Sequence, residues 1–287
     1  MSWRDRALAL GARFGVKPIL SLPLPWAVHR QAFRLMGLRA LPSEVEVAQK
    51  MVGGISCGIF TPPGSSGTLL WLHGGGFVLG SARSYATLAS ALALQSGRRV
   101  VVPDYRLAPE HPFPAAPDDC RDVAHALAAQ GPFALGGDSA GGCLAVVTLA
   151  ELLAEGMTPT HLVLVSPAAD LDPDRPVPDT RDELLFPVSL LRRVGRDYAA
   201  GADPTDPRVS PVHADLDGAP PTLIHCAKGE LLEEDTDALE ERLRTGRAKV
   251  TVEKTAGVPH VWHLCVGRTP KADAAVARIG AFLRAAP

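Results

Sequence analysis

The sequence predicts an α/β protein with a mainly parallel central sheet and helices on both of its faces. From residue 44 onward, short apolar runs typical of strands alternate with longer helical patterns. This order is typical of parallel sheets, whose strands are joined by crossover helices. In addition, 46% of the 287 residues are hydrophobic, which is enough to bury a large core.

The first 40 residues stand apart from this alternation. Apolar and basic positions follow one another there, with Pro18, Pro23 and Pro25 between them. The pattern predicts two short amphipathic helices around a kinked connection. An apolar helix face that covers a pocket would give this pattern, and so would a basic helix lying on a membrane surface.

The rest of the chain supplies the strands and helices of the predicted sheet. The strand candidates are residues 44–47, 54–60, 68–72, 99–102, 133–135, 161–166, 222–226 and 249–253. The helical candidates are residues 84–95, 120–130, 143–153 and 187–199, with a last helix after His260. Asp118 and Asp119 are placed to cap the helix at 120–130. Residues 170–218 interrupt the alternation with Pro- and Asp-rich segments around the helix at 187–199, which indicates an insertion.

Composition excludes several classes of partner. A net charge of −2 gives no electrostatic reason to expect nucleic acid. Residues 51–82 carry no Asp, Glu, Lys or Arg, but their prolines and glycines would break a membrane-spanning helix, and we predict no membrane insertion. The five cysteines lie in no metal-ligand spacing, so we predict reduced thiols in a cytoplasmic protein without metal or cofactor.

A glycine-rich turn between strand 133–135 and helix 143–153 carries the clearest chemical signal. The run Gly137-Asp138-Ser139-Ala140-Gly141 has the G-x-S-x-G pattern of a nucleophile elbow. In such an elbow the serine sits on a sharp turn, and the flanking glycines leave room for nearby backbone. The turn predicts Ser139 as a nucleophile and the amide of Ala140 as a donor to an oxyanion.

A second glycine motif directly follows strand 68–72. It reads His73-Gly74-Gly75-Gly76, the type of motif that completes an oxyanion hole. Backbone N–H groups reach an oxyanion only where no side chain blocks the approach, which explains the consecutive glycines. We expect Gly74 and Gly75 to donate together with Ala140, and His73 to anchor the loop rather than act as a base.

Together with a third stretch, these motifs resemble those of the bacterial esterases related to hormone-sensitive lipase. The matching stretches are residues 73–81, 104–116 and 137–142, in the order of that family. The resemblance implies an α/β-hydrolase fold that acts on carboxylic esters. It also implies a helical cap, with N-terminal cap helices at residues 1–40, a core at 41–287 and a second cap insertion at about 170–218.

The remaining members of a catalytic triad should follow Ser139 in the order acid, histidine. His260 lies in a loop after strand 249–253, where the family has its catalytic histidine, and His263 is the rival. Glu230 opens an acidic cluster after strand 222–226, at the position where many members of the family have aspartate; the alternatives are a neighbouring acid of that cluster (Glu233, Glu234 or Asp235) and Asp170. The mechanism then runs through an acyl-enzyme that water hydrolyses.

Several further expectations complete this interpretation. Residues 104–116 should form a scaffold behind the oxyanion loop, with their charges paired within the stretch. The resemblance favours short to medium acyl esters as substrates, with N-acetyl or amide deacylation on the same triad, or a ligand-binding protein without catalysis, as alternatives. A homodimer is possible, because members of the family often dimerise. Candidate pocket residues are Phe77, Phe14, Trp26, Phe186, Leu190 and Val261.

Overall fold

The computed structural model describes residues 2–36, 41–176 and 182–286, with Leu35 and Met36 described by their backbone alone. Its centre is a sheet of eight strands in the order β1-β2-β4-β3-β5-β6-β7-β8. The strands are β1 Glu46–Val52, β2 Ile55–Thr61, β3 Thr68–Leu72, β4 Arg99–Pro103, β5 Phe133–Asp138, β6 Leu162–Val165, β7 Thr222–Ala227 and β8 Val250–Thr255. Strands β3 to β8 are parallel, and β2 is antiparallel to both of its neighbours. The predicted fold class is confirmed.

The first strand is longer than the sequence predicts. We expected residues 44–47, whereas β1 spans Glu46–Val52 and pairs with β2 along its whole length. Most of its residues are exposed, because it is an edge strand, so the alternation of apolar and polar residues that marks a strand is weak. Gly53 and Gly54, both with positive φ, close the hairpin.

Helices cover both faces of the sheet, as the alternation predicts. The helices are α1 Trp3–Gly11, α2 Lys17–Leu20, α3 Trp26–Met36, α4 Ala86–Ser96, α5 Ala115–Ala128, α6 Ala140–Ala154, α7 Val188–Ala199, α8 Glu233–Thr245 and α9 Pro270–Arg284. In β3, Leu69 and Trp71 pack in the core beneath α4 and α9. Leu70 and Leu72 point the other way, into the core shared with α5, α6 and α8. The strand is therefore buried on both faces, as a central parallel strand must be.

Helix α5 begins earlier than expected, which changes the role of two aspartates. Its N-cap is Pro114, so Asp118 and Asp119 lie inside the helix and do not cap it. Asp119 instead accepts hydrogen bonds from the backbone and the guanidinium of Arg106, at 2.8 and 2.7 Å. The sequence could not show this, because the alternative partner lies in a loop 13 residues away.

Two groups of helices lie outside the layers around the sheet. One is the N-terminal segment, in which α1 runs through a π-helical turn, Ala12–Val16, into α2, and α3 follows after a short connection. The other contains α7. These are the regions where the resemblance implies cap segments, although residues 37–40 and 177–181 lie outside the described part. Across the described ranges, no helix is long and apolar enough to cross a membrane.

Candidate active site

Ser139 occupies a sharp turn between β5 and α6. Its backbone has φ 54° and ψ −120°, a region that non-glycine residues rarely adopt. A side chain on Gly141 would collide with the carbonyl oxygens of Leu72 and His73, and one on Gly137 would collide with the Gly141 carbonyl. The glycines of the motif therefore let the turn press against the end of β3.

Hydrogen bonds from the neighbouring strand hold this turn in place. The Ser139 amide donates to the carbonyl of Val165 at 2.9 Å, and the Ser139 carbonyl accepts from the amide of Ala168 at 3.1 Å. It also accepts from the Cys143 amide at 3.1 Å, the first bond of α6. The serine backbone is thus fixed from two sides.

The structure brings Ser139, His260 and Glu230 together in one hydrogen-bonded chain. His260 Nε2 lies 2.9 Å from Ser139 Oγ, and His260 Nδ1 lies 2.7 Å from Glu230 Oε2. Glu230 follows β7 and His260 follows β8, so the loops after three parallel strands converge at one edge of the sheet. All three side chains are buried.

The second oxygen of Glu230 is also held. Oε1 accepts from the Ala227 amide at 3.1 Å and from the Cys226 thiol at 3.2 Å. Sequence reasoning did not foresee these contacts, since they depend on how the chain turns after β7. They fix the longer glutamate side chain, so that Oε2 faces the imidazole.

The charges around His260 raise its pKa. Burial by itself lowers the pKa of the imidazole, but the carboxylate of Glu230, through its charge and its hydrogen bond, outweighs that effect with help from Glu183 and Asp138. The net result is a pKa above the ordinary value of 6.5. The cation that forms when His260 takes up a proton is therefore stabilised.

The two rival residues lie elsewhere. The Asp170 carboxylate faces Arg175 at 3.9 Å. His263 Nε2 lies 2.9 Å from His225 Nδ1 in a buried pair, and burial lowers the pKa of His263 well below its ordinary value. Neither side chain takes part in the chain of hydrogen bonds that ends at Ser139.

One of the expected oxyanion donors is already engaged. The Gly74 amide donates to the Tyr85 hydroxyl at 2.9 Å, which corrects the expectation that it faces the substrate. Gly75 and Gly76, with φ of 120° and 61°, line the same cavity as Ser139. The donor candidates are therefore Gly75, Gly76 and Ala140, the last at the start of α6.

A cavity of about 130 Å³ opens above Ser139 and His260. Its walls are almost entirely apolar and come from the N-terminal helices, the loop after β3, the segment before α7 and α7 itself. Four of the six predicted pocket residues line it, namely Trp26, Phe186, Leu190 and Val261. Further wall residues carry no signal in the sequence, among them Val16, Leu20, Phe33, Leu185 and Val194.

Two predicted pocket residues do not line the cavity. Phe77 is buried and stacks on Tyr198, with ring centroids 3.7 Å apart. Phe14 is 70% exposed on the outer side of the N-terminal segment. Phe77 directly follows the glycine motif, and Phe14 lies in an amphipathic pattern. Neither feature shows on which side of the backbone the side chain lies.

Comparison with known proteins identifies the family of this chain. A family model described as an alpha/beta hydrolase fold matches residues 69–264. An acetyl-hydrolase of Streptomyces hygroscopicus is 41% identical over 226 residues, which cover 76% of each chain. A putative acetyl-hydrolase of Mycobacterium tuberculosis, LipR, is 35% identical over 257 residues, 86% of this chain and 83% of that protein.

A solved structure covers nearly the whole fold. It is an esterase from the bacterial hormone-sensitive lipase family, superimposing with a TM-score of 0.90 at 30% identity over 99% of this chain and 98% of the other. This chain belongs to that family. The resemblance seen in the sequence is confirmed, and the protein is a carboxylic ester hydrolase.

In this esterase a buried polar network ties the oxyanion loop to the elbow. The Tyr85 hydroxyl, which accepts from Gly74, donates to Asp138 Oδ2 at 2.6 Å, and Trp71 Nε1 donates to Asp138 Oδ1 at 3.0 Å. Burial raises the pKa of Asp138 to about 6 against the effect of these hydrogen bonds. Asp138, the residue before Ser139, therefore ties the glycine loop after β3 to the turn at Ser139.

The stretch at 104–116 supports the same loop from behind. The Tyr105 hydroxyl donates to the His73 carbonyl at 2.7 Å, and the two rings stack. Burial lowers the pKa of His73 to about 4, so the ring is neutral, and Nδ1 donates to the Gly74 carbonyl at 2.8 Å. The charges of the stretch pair outside it, however, since Arg106 binds Asp119 and Glu110 binds Arg30.

A buried glutamate, Glu183, holds the segment before α7 in place above the site. The sequence does not predict its role. Glu183 accepts from the amides of Leu185, Phe186 and Leu231 at 2.6 to 3.0 Å. The Phe186 ring then lies edge-on to His260, with centroids 5.1 Å apart. Glu183 thereby links this segment to the loop that carries Glu230.

We expect Gly141→Ala to lower the free energy of unfolding by about 3 kcal/mol or more, because the added methyl group meets backbone that cannot move aside. Gly195→Ala is the matched control, since its new methyl group would have only the Leu171 carbonyl oxygen, at 3.8 Å, in reach. That change should be neutral or stabilising by up to about 1 kcal/mol. Urea titration measures both, and equal effects would contradict the close approach at the elbow.

We expect Tyr85→Phe to lower kcat/KM about tenfold or more, because it removes the partner of both the Gly74 amide and Asp138 at a cost of about 1–3 kcal/mol. Tyr198→Phe is the control, since its buried hydroxyl finds no partner within the described chain. Hydrolysis of p-nitrophenyl butyrate measures both variants. A Tyr85→Phe enzyme as active as Tyr198→Phe would show that the network does not position the loop.

Proposed function

We propose that this enzyme hydrolyses short- to medium-chain acyl esters through Ser139, His260 and Glu230, with an acyl-enzyme intermediate. The observation that carries the proposal is the unbroken hydrogen-bonded chain from Ser139 Oγ through both nitrogens of His260 to Glu230. Ser139 and His260 form part of the wall of an apolar cavity, in which the acyl group of the ester would lie.

The first half of the reaction forms the acyl-enzyme. Because a carboxylate only accepts, His260 Nδ1 carries its proton toward Glu230, and the unprotonated Nε2 faces Ser139 Oγ. Nε2 takes the hydroxyl proton while Oγ bonds to the carbonyl carbon of the ester. Glu230 then stabilises the imidazolium, and the amides of Gly75, Gly76 and Ala140 hold the oxyanion.

Collapse of the tetrahedral intermediate completes the first half, as His260 returns its proton to the alkoxide leaving group and the alcohol departs to leave the acyl-enzyme. The second half releases the acid. Water gives a proton to His260 and attacks the acyl carbon, and the second intermediate collapses as His260 passes that proton to Ser139 Oγ, which frees the carboxylic acid and restores the serine. His260 mediates every proton transfer in this sequence.

The cavity supports the limit on acyl length. Its volume of about 130 Å³ is below the range of about 300–1,000 Å³ found for pockets that hold drug-sized ligands. Trp26, Phe186 and Leu190 are large side chains that bound it. A short acyl chain fills this space, whereas a long one must leave it or displace a wall.

Removal of an acetyl group from nitrogen is the second candidate. The relative at 41% identity is named an acetyl-hydrolase, a name that fits acetyl esters and acetyl amides alike. An amide leaving group needs a proton more strongly than an alkoxide does, and His260 is placed to give it. The rate with an acetyl ester relative to the matching acetanilide separates the two substrates. The other alternative is a ligand-binding protein without catalysis. Binding alone does not require the hydrogen-bonded chain of Ser139, His260 and Glu230, so this chain favours an enzyme.

The five cysteines bear on where the enzyme works. All five are free, and four of them are buried. We propose a cytoplasmic location, because reduced thiols persist in that compartment.

We expect activity on p-nitrophenyl esters to fall as the acyl chain lengthens beyond medium length. Ser139→Ala should lower kcat/KM by about 10³-fold or more and Glu230→Ala by about 10²- to 10⁴-fold. Asp170→Ala is the control and should keep wild-type activity, since Asp170 faces Arg175. Full activity in Glu230→Ala, or a preference for long-chain triglyceride emulsions, would contradict the proposal.

We expect kcat/KM to rise with pH through one ionisation above 6.5, because His260 must be neutral to accept a proton and its pKa is raised. Glu230→Gln removes the charge that raises this pKa and leaves the effect of burial, so the midpoint should move to lower pH while the maximum rate falls. In the control Asp170→Asn the midpoint should stay in place. A Glu230→Gln midpoint that is unchanged or higher would exclude Glu230 as the residue that sets the pKa of His260.

A further inference from the structure

Of the exposed large apolar side chains of the N-terminal segment, three lie on α1 and the π-helical turn that follows it. Trp3, Leu10 and Phe14 are 75%, 58% and 70% exposed. Their spacing of seven and four residues puts them on one face of the helix that runs from α1 into the π-helical turn. The opposite side buries Asp5 and Ala12 against the body of the protein. We call Trp3, Leu10 and Phe14 the outer face.

The pocket does not account for the outer face. Val16 and Leu20 of the same segment point into the cavity, whereas the three residues of the outer face do not line it. Burying an exposed side chain of this size is favourable, so three together mark an interaction surface. The pocket therefore explains why Val16 and Leu20 are apolar, but it does not explain the apolar residues of the outer face.

The segment is also strongly basic. Residues 1–36 contain six Lys or Arg and one Asp, a net charge of +5. The whole chain has −2, so the remainder carries −7. The single acid, Asp5, is buried and caps α1. The segment that bears the outer face therefore has a net positive charge, whereas the rest of the molecule has a net negative charge.

Three arginines, Arg4, Arg6 and Arg13, border the outer face. The Arg4 guanidinium lies 5.6 Å from the centre of the Trp3 ring, and that of Arg13 lies 5.9 Å from the centre of the Phe14 ring. Arg4, Arg6 and Arg13 are exposed, and over the ranges given above they reach no carboxylate within ion-pair distance. Arginines beside exposed aromatic rings form a surface whose apolar part can enter a bilayer while the charges meet lipid phosphates.

We infer that the outer face docks this protein on an anionic lipid surface. Trp3, Leu10 and Phe14 would enter the boundary between headgroups and acyl chains, and Arg4, Arg6 and Arg13 would contact the anionic headgroups. Because Val16 and Leu20 belong to the same segment, docking places one wall of the substrate cavity near the lipid. The inference goes beyond the proposed function and does not depend on it.

A second copy of the chain fits the outer face less well. A symmetric dimer brings the same surface of both subunits together, so two segments with a charge of +5 would meet. Their mutual repulsion opposes that contact, whereas an anionic membrane attracts both.

Tryptophan fluorescence tests the docking directly, because Trp3 is the sole exposed tryptophan of the four; Trp26, Trp71 and Trp262 are buried. The full chain is titrated with vesicles of phosphatidylcholine alone and of phosphatidylcholine and phosphatidylglycerol in equal parts. Anionic vesicles should shift the emission to shorter wavelength and protect it from iodide, and Trp3→Phe should abolish both changes. Salt should weaken the binding.

Two pairs of variants assign the surface, with flotation on the same vesicles as the readout. Leu10→Ser with Phe14→Ser, and Arg6→Glu with Arg13→Glu, should each lower the bound fraction about tenfold or more. The matched controls are Val47→Ser with Met51→Ser, which changes exposed apolar residues of β1, and Arg247→Glu with Lys249→Glu, which changes exposed cations near the start of β8. The controls should bind as the wild type does, and thermal unfolding midpoints confirm that each variant is folded.

Three results would overturn the inference. The first is no binding of the folded wild type to anionic vesicles. The second is equal binding by the variants and their controls. The third is a concentration-dependent dimer in sedimentation velocity without lipid that the Leu10 and Phe14 changes dissociate, since the outer face would then be covered by a second copy. Loss of ester hydrolysis would bear on the proposed function alone, because docking is read without turnover.

Discussion

The contact between the elbow and the end of β3 is the constraint on which the rest of the structure depends. Ser139 holds a positive φ that costs about 1–3 kcal/mol. The cost is met by hydrogen bonds to Val165 and Ala168 and by the close approach that Gly137 and Gly141 allow. Because the elbow touches the carbonyls of Leu72 and His73, Ser139 and the glycine loop after β3 share one backbone contact at the end of the strand.

Three buried carboxylates around the site have different hydrogen-bond partners and therefore different effects. Glu230 receives donors on both oxygens, and its charge and hydrogen bond raise the pKa of His260. Asp138 lies in a buried network with Tyr85 and Trp71, and through Tyr85 it holds the glycine loop after β3 in position. Glu183 ties the segment before α7 to the loop after β7 and brings Phe186 against His260.

Much of this arrangement could be predicted from the sequence, for a physical reason. Gly74, Gly75, Gly137 and Gly141 stand where a side chain would meet nearby backbone, and the order of the parallel strands places Ser139, Glu230 and His260 at one edge. What could not be predicted depends on partners far along the chain. Gly74 differs from Gly75 only because Tyr85 reaches its amide. Phe14 differs from Val16 because a π-helical turn and the packing of Asp5 decide which side faces inward.

Covalent labelling by an organophosphate reports whether Ser139 is a nucleophile activated by a neighbouring base. We expect one phosphoryl group for each chain, located on Ser139 by mass spectrometry of peptides, and far slower labelling in His260→Ala. A label on another residue, a Ser139→Ala variant labelled as fast as the wild type, or no effect of the His260 change would contradict this expectation.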